Sequence, residues 1–164
     1  MKKGVLLLLI AVIMIMVFPL AAMAEEPHTH FVCGEAECTH EGTIHTTAVT
    51  YTPVAKEADF VDLNSNPSRL GISGNYYLTD DVDISQEIWI SADTNICLNG
   101  HTLTGKGVSI APIVLTGGTI NICDCSIEKD GMITSSAAAD GGRSGSIYVQ
   151  NANVNLYGGT IANN

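Results

Sequence analysis

The chain has 164 residues, 46% of them hydrophobic, and carries 17 acids against 7 bases, a formal net charge of −10. That surplus excludes a nucleic-acid partner, which needs a basic surface, and disfavours simple electrostatic binding to anionic lipid. Five cysteines cannot all pair within one chain.

Residues 1–24 read as a secretory signal peptide. Lys2 and Lys3 form its charged start, residues 5–18 its apolar core, and Ala22-Met23-Ala24 its cleavage site. Cleavage leaves residues 25–164, with five bases against seventeen acids and a net charge of −12. A secreted or cell-surface, extracellular location follows, with no membrane contact after signal removal. The uncharged stretch 4–24 is also just long enough to span a bilayer, so an uncleaved anchor is the alternative.

Residues 25–52 form a His/Cys-rich leader. The run HTHFVCGEAECTHEGTIH crowds His28, His30, Cys33, Cys38, His40 and His45 into eighteen residues. Zinc takes four tetrahedral N/S ligands, and close spacing supplies them at little cost in loop entropy. Cys33 and Cys38 close a small loop around Gly34, and His40 adds a third ligand. His30 or His45 completes the set, with His28 in reserve. The expectation is a structural zinc knuckle. Its competitors are a Cys33–Cys38 disulfide and a disordered His-rich leader. So many ligands packed together, with no general base beside an open position, point to stapling rather than catalysis.

Residues 53–79 are expected to form an N-terminal capping segment for a repeating β region. From residue 80 to 164 a three-strand pattern comes round three times. Short β-prone triplets start at Ile88, Ile113 and Ile147, then at Ile96, Ile120 and Val154, then at Thr102, Met132 and Thr160. Successive first triplets are 25 and 34 residues apart, and successive second triplets 24 and 34. Repeats at such spacing mean that one unit must stack on the next to bury its apolar face. The sequence therefore predicts an all-β fold, a right-handed parallel β-helix (solenoid) of about three coils. An antiparallel sandwich is the alternative for short strands with turn signals. Asn99-Gly100, Gly117-Gly118 and Gly158-Gly159 would make the corners. Residues 125–131 and 135–145 read as loop insertions. Side-chain alternation sends Ile88, Ile90, Ile113, Leu115, Ile147 and Val149 inward, and likewise Ile96, Leu98, Ile120, Ile122, Val154 and Leu156. Cys97 faces outward and could pair with Cys123 or Cys125 across neighbouring coils. The strands run to the last residues without a capping unit, which reads as the N-terminal fragment of a longer protein.

Catalysis is not expected in this portion. A polysaccharide lyase needs a Ca²⁺ cradle and a basic residue, and a glycosidase needs two facing carboxylates. Asp80-Asp81-x-Asp83 is better read as a solvated turn. Asp124, Glu128 and Asp130 share one insertion and offer at most a weak calcium site. Lys106, Lys129 and Arg143 are scattered. Trp89 and Tyr148 are outward residues two coils apart, with the small Val114 between them. Aromatics so spaced could stack on sugar rings, unless the segment 60–70 covers them. Asn121 and Asn155 form an outward amide ladder of structural character.

The phrases Asn75-Tyr76-Tyr77-Leu78-Thr79-Asp80-Asp81-Val82, Ile96-Cys97-Leu98-Asn99-Gly100-His101-Thr102-Leu103, Asp124-Cys125 and Tyr157-Gly158-Gly159-Thr160-Ile161 resemble large surface proteins of Gram-positive gut bacteria that carry pectate-lyase-like β-helix repeats. The leader resembles their N-terminal stretch too. The resemblance implies attachment or display at the cell surface, with a glycan or a host or cell-wall surface as partner. It covers nearly the whole chain after the signal. The expected function is adhesion or carbohydrate recognition. The alternatives are the start of a polysaccharide lyase or glycoside hydrolase, and a structural surface stalk.

Overall fold

The structure is a computed structural model that describes residues 26–40, 45–64, 66, 69–106, 108, 111–136 and 145–162. The signal sequence, most of the 135–145 insertion with Arg143, and the last two residues lie outside the described part. The strands are β1 (Thr29–His30), β2 (Val49–Thr50), β3 (Thr52–Val54), β4 (Arg69–Leu78), β5 (Val82–Ile84), β6 (Glu87–Cys97) and β7 (Thr102–Gly105). They continue with β8 (Ile113–Leu115), β9 (Thr119–Cys123), β10 (Met132–Ser135), β11 (Ile147–Val149), β12 (Asn153–Leu156) and β13 (Thr160–Ile161), and a 3-10 turn spans Glu57–Asp59.

These strands form three sheets. A seven-stranded sheet runs β11-β8-β6-β4-β3, with β9 also on β6 and β12 on β9. A four-stranded sheet runs β13-β10-β7-β5, and β1 pairs with β2 alone. Pairing in the two larger sheets is parallel, and β1–β2 is antiparallel. The expected β-helix is thereby corrected. The chain forms sheets of two, seven and four strands with no closed barrel, not a solenoid of three coils. Two triplets read as separate strands, at Ile88 and Ile96, belong to one eleven-residue strand, β6. The reason is local: Ser91-Ala92-Asp93-Thr94-Asn95 contains no Gly or Pro, so nothing breaks the extended backbone there. The break comes one strand later. Gly118 has φ +70, and a Cβ there would stand 2.6 Å from the Ala92 carbonyl carbon.

The register was legible in part. Ile88, Ile113 and Ile147 stand side by side as expected, and so do Thr102, Met132 and Thr160. The middle set is displaced by two residues: Ile96 meets Ile122, not Ile120, and Cys97 meets Cys123. A slip of two preserves which face each side chain takes.

The main core lies between the two larger sheets. Ile88, Ile90, Ile96, Leu98, Ile113, Leu115, Ile120 and Ile122 are fully buried, with Leu78, Val82, Ile84, Leu103 and Ile133. Each such side chain contributes about 2–3 kcal/mol of transfer free energy. Ile147 and Val154 are only partly buried, and Val149 and Leu156, expected inward, are 45% and 47% exposed. They sit on β11 and β12, which are at the edge of the described sheet, so no strand covers them there.

Asp124, one of the acids considered for calcium, is instead a buried tie between turns. Its Oδ1 accepts the Gly100 N–H (3.0 Å) and the Ser126 N–H (2.9 Å), and its Oδ2 accepts the Gly131 N–H (2.6 Å). Burial works against its charge, but the Ser126, Gly131 and Gly100 donors outweigh that and hold the carboxyl below its ordinary range. Its stabilising effect is therefore complete above the ordinary pKa near 3.8 and is lost as pH falls through the lower folded-state value. Asp124→Asn should destabilise by about 2–4 kcal/mol at pH 7. Urea denaturation from pH 7 to pH 2 should show the gap from the parent chain closing at the acid end. A constant gap would assign the cost to packing rather than to the carboxylate.

Candidate metal centre

Alternation along β4, β6 and β9 sends Tyr77, Cys97 and Cys123 to the face away from the main core, as a row of direct neighbours. With Tyr51 they make a second buried cluster, bordered by Cys125 and Tyr157. The leader covers this row. Gly34 makes the close approach, at φ +85, where a Cβ would lie 3.1 Å from both Cys123 Cβ and the Asp124 carbonyl oxygen. The Tyr51 N–H donates to the His28 carbonyl (2.9 Å), and Lys129 Nζ donates to Glu35 (3.1 Å) and to the Asp124 carbonyl (2.6 Å).

At the Tyr157 end the leader folds back on itself. Cys38 Sγ lies 3.0 Å from Cys33 Sγ, 3.3 Å from His40 Nδ1 and 3.3 Å from His45 Nδ1. All four ligand atoms fall within 4.8 Å of one another. Tetrahedral zinc, with bonds of about 2.3 Å to sulfur and 2.0–2.1 Å to nitrogen, sets its ligand atoms roughly 3.3–3.8 Å apart. Cys33 and His45 are buried, Cys38 is half-buried and His40 exposed. His45 Nε2 sits 3.1 Å from the Tyr157 hydroxyl. An Nε2–H donated there leaves the Nδ1 lone pair facing the thiols, the usual outer support of a metal-bound imidazole. Burial, then the Cys38 thiol, pushes the Cys33 thiol up.

Four of the five ligands read from the sequence thus converge, and His30 does not join them. It stands with His28, Cys97 and Cys125 in a second group whose ligand atoms also lie within 4.8 Å of one another. Both groups are within metal-binding distance and so compatible with a structural metal. The sequence leaves Cys97 either paired with Cys123 or Cys125 or free under a turn, and all five cysteines are free thiols. The signal that reasoning misses is His28-x-His30, an alternation that puts both rings on one face of an extended chain.

The remaining acids have other partners. Asp80 accepts the Asp81 N–H (2.8 Å), Asp81 the Thr102 N–H (2.8 Å), and Asp83 pairs with Lys106. Glu128 and Asp130 are exposed.

Trp89, Val114 and Tyr148 are register neighbours, as the sequence implied. Trp89 is half-buried and its indole N–H donates to Glu87 Oε2 (3.0 Å). The Arg69 guanidinium lies 4.0 Å above its ring, so a residue of the 60–70 segment does cover it. Tyr148 is half-buried. A different surface is open beside the leader. Asn95 Nδ2 donates to Asn75 Oδ1 (2.6 Å), Asn121 to Asn95 (2.7 Å) and Asn155 to Asn121 (2.8 Å). This ladder floors a groove of about 560 Å³, lined also by Asp93, Thr119, Asn153 and Thr47.

Because Trp89 is the only tryptophan, its cover is directly measurable. Arg69→Ala should shift tryptophan emission to longer wavelength and raise acrylamide quenching about twofold, at a stability cost of about 0.5–1 kcal/mol. Unchanged quenching would mean that Arg69 does not shield the ring. Comparison with protein-family models, with curated proteins and with solved structures finds no match to this chain.

Proposed function

We propose that the chain is a secreted or cell-surface module for adhesion or carbohydrate recognition, non-catalytic in this portion, whose leader is stapled by a structural zinc ion. The observation that carries the recognition reading is the amide-floored groove. Each ladder amide of Asn95 and Asn121 spends one N–H and one oxygen lone pair on its neighbours, which leaves one donor and one acceptor per residue. Sugar hydroxyls both donate and accept, so a row of such amides fits them. The resemblance of phrases such as Tyr157-Gly158-Gly159-Thr160-Ile161 to large surface proteins of Gram-positive gut bacteria suggests the same location and partner class. A lyase or glycosidase is the weaker reading. Among the described residues Asp93 is the one carboxylate lining the groove, and its Oδ1 already accepts the Thr119 N–H (2.9 Å), whereas glycoside hydrolysis needs a facing pair.

The zinc reading rests on Cys33, Cys38, His40 and His45, two thiols and two imidazoles whose ligand atoms all lie within 4.8 Å of one another. Dialysed, reduced protein should take up zinc at this group, and Cys38→Ser should weaken that uptake at least a hundredfold in competition with a chromophoric chelator. Equal uptake by the parent and Cys38→Ser would dismiss the group as a ligand set.

For the groove, an array of plant, mucin and cell-wall glycans would identify a ligand. Asn153→Ala with Asn155→Ala should then lower affinity about tenfold or more, while Trp89→Ala leaves it unchanged. The reverse pattern would move the site to Trp89 and Tyr148, and no binding at all would leave a stalk.

A further inference from the structure

The group at the other end of the leader is built differently from the first, because it joins two distant parts of the chain. His28 and His30 come from the leader, Cys97 from the end of β6 and Cys125 from the turn after β9. Cys97 Sγ lies 3.2 Å from Cys125 Sγ, which in turn lies 3.4 Å from His28 Nε2. The His28 ring stacks flat on Tyr77, with centroids 3.9 Å apart and planes within 3°. That stacking fixes the direction of its nitrogens.

His30 supplies the independent sign that something belongs there. Its Nδ1 is 2.6 Å from the Phe31 carbonyl oxygen. A carbonyl only accepts, so Nδ1 carries the proton, and in the neutral ring Nε2 is left with a bare lone pair. That Nε2 is buried and has no hydrogen-bond partner. An acceptor left so costs about 1–3 kcal/mol. A carbonyl-oriented imidazole with its other nitrogen free is also the arrangement that metal-bound histidines show. Tyr51 packs against the same ring at 4.2 Å, and His30 and Cys97 are buried while His28 and Cys125 are half-buried.

We propose that His28, His30, Cys97 and Cys125 form a second zinc centre, which docks the leader onto the face of the seven-stranded sheet. Two thiolates and two imidazoles suit zinc above the hard cations, and four protein ligands leave no open position for catalysis. The first group closes a loop within the leader. This one ties residues 28 and 30 to residues 97 and 125, so loading it would decide whether the leader lies on the sheet.

Zinc and cobalt(II) titrations of the reduced, metal-free full chain test the proposal. The parent chain should bind two equivalents of zinc. Cys33→Ser with Cys38→Ser should keep one, with a thiolate-to-cobalt charge-transfer band, and adding His30→Ala should weaken that remaining equivalent at least tenfold. Zinc X-ray absorption on the Cys33→Ser, Cys38→Ser chain should show two sulfur and two nitrogen neighbours, a readout that needs no substitution in the proposed site. Cys97→Ser with Cys125→Ser should lose one equivalent and keep the other. Failure of the first group's zinc reading would appear separately, as no retained equivalent in that variant. No zinc bound by the Cys33→Ser, Cys38→Ser chain, or a Cys97–Cys125 disulfide in protein purified without reductant, would overturn the second centre.

Discussion

β6 is hydrogen-bonded along both edges, to β4 on one side and to β8 and β9 on the other. This double pairing sets the position of nearly everything else. Of its even-numbered residues Ile88, Ile90, Thr94 and Ile96 are fully buried, and Ala92 is exposed. Its odd-numbered residues Trp89, Asn95 and Cys97 each begin a feature of the opposite face: the Arg69-covered indole, the amide ladder and the cysteine row. One strand thus converts a period of two into a core on one side and a line of chemistry on the other. A one-residue slip would exchange the two faces, which would put Ile88 and Ile96 in water and Trp89 and Cys97 in the core. The fully buried isoleucines hold the register, and the polar row inherits it.

That dependence explains what was legible in the sequence. Apolar alternation is a local signal, so the inward residues of β6, β8 and β9 and the parallel partnership of Ile88, Ile113 and Ile147 could be read directly, whereas Val149 and Leu156 on the outer strands could not. The joining of two triplets into β6 could not, because it depends on the absence of a breaker between Ser91 and Asn95 rather than on a positive mark. The two-residue displacement of β9 is set by the Gly118 turn, and the triplet pattern looks the same in either register. The expected solenoid came from extending one repeating unit over strands that instead distribute between sheets of unequal size.

The candidate site was legible to the extent that its ligands are close in sequence. Cys33, Cys38, His40 and His45 meet because thirteen residues of chain can hardly keep them apart. His28 and His30 meet Cys97 and Cys125 only because the sheet places a cysteine row beneath the leader, some 67 to 97 residues away in sequence. Cys97 looked like an exposed outward residue, and outward it is with respect to the main core. Its burial comes from the leader, whose path no pattern in β6 records.

The leader itself has little to hold it. Its regular pairing amounts to two residues in β1 and two in β2, and a ribbon of that size is not stable alone in water. Beside it stand the Lys129–Glu35 ion pair, the His45–Tyr157 hydrogen bond and side-chain contact with the Tyr77–Cys97–Cys123 row, where hydrogen bonding to the Cys123 thiol, with burial, pushes the Cys97 thiol up to about 12. Burial, then His30, lowers the His28 pKa. The thiols and imidazoles bond to one another, but His30 Nε2 stays buried without a hydrogen-bond partner. Structural zinc binding in small domains supplies about 10–16 kcal/mol at pH 7, several times what a short β-ribbon can offer. Coordination would outweigh the leader's few polar ties to the sheet, and His28, His30, Cys97 and Cys125 already bring their ligand atoms within 4.8 Å of one another.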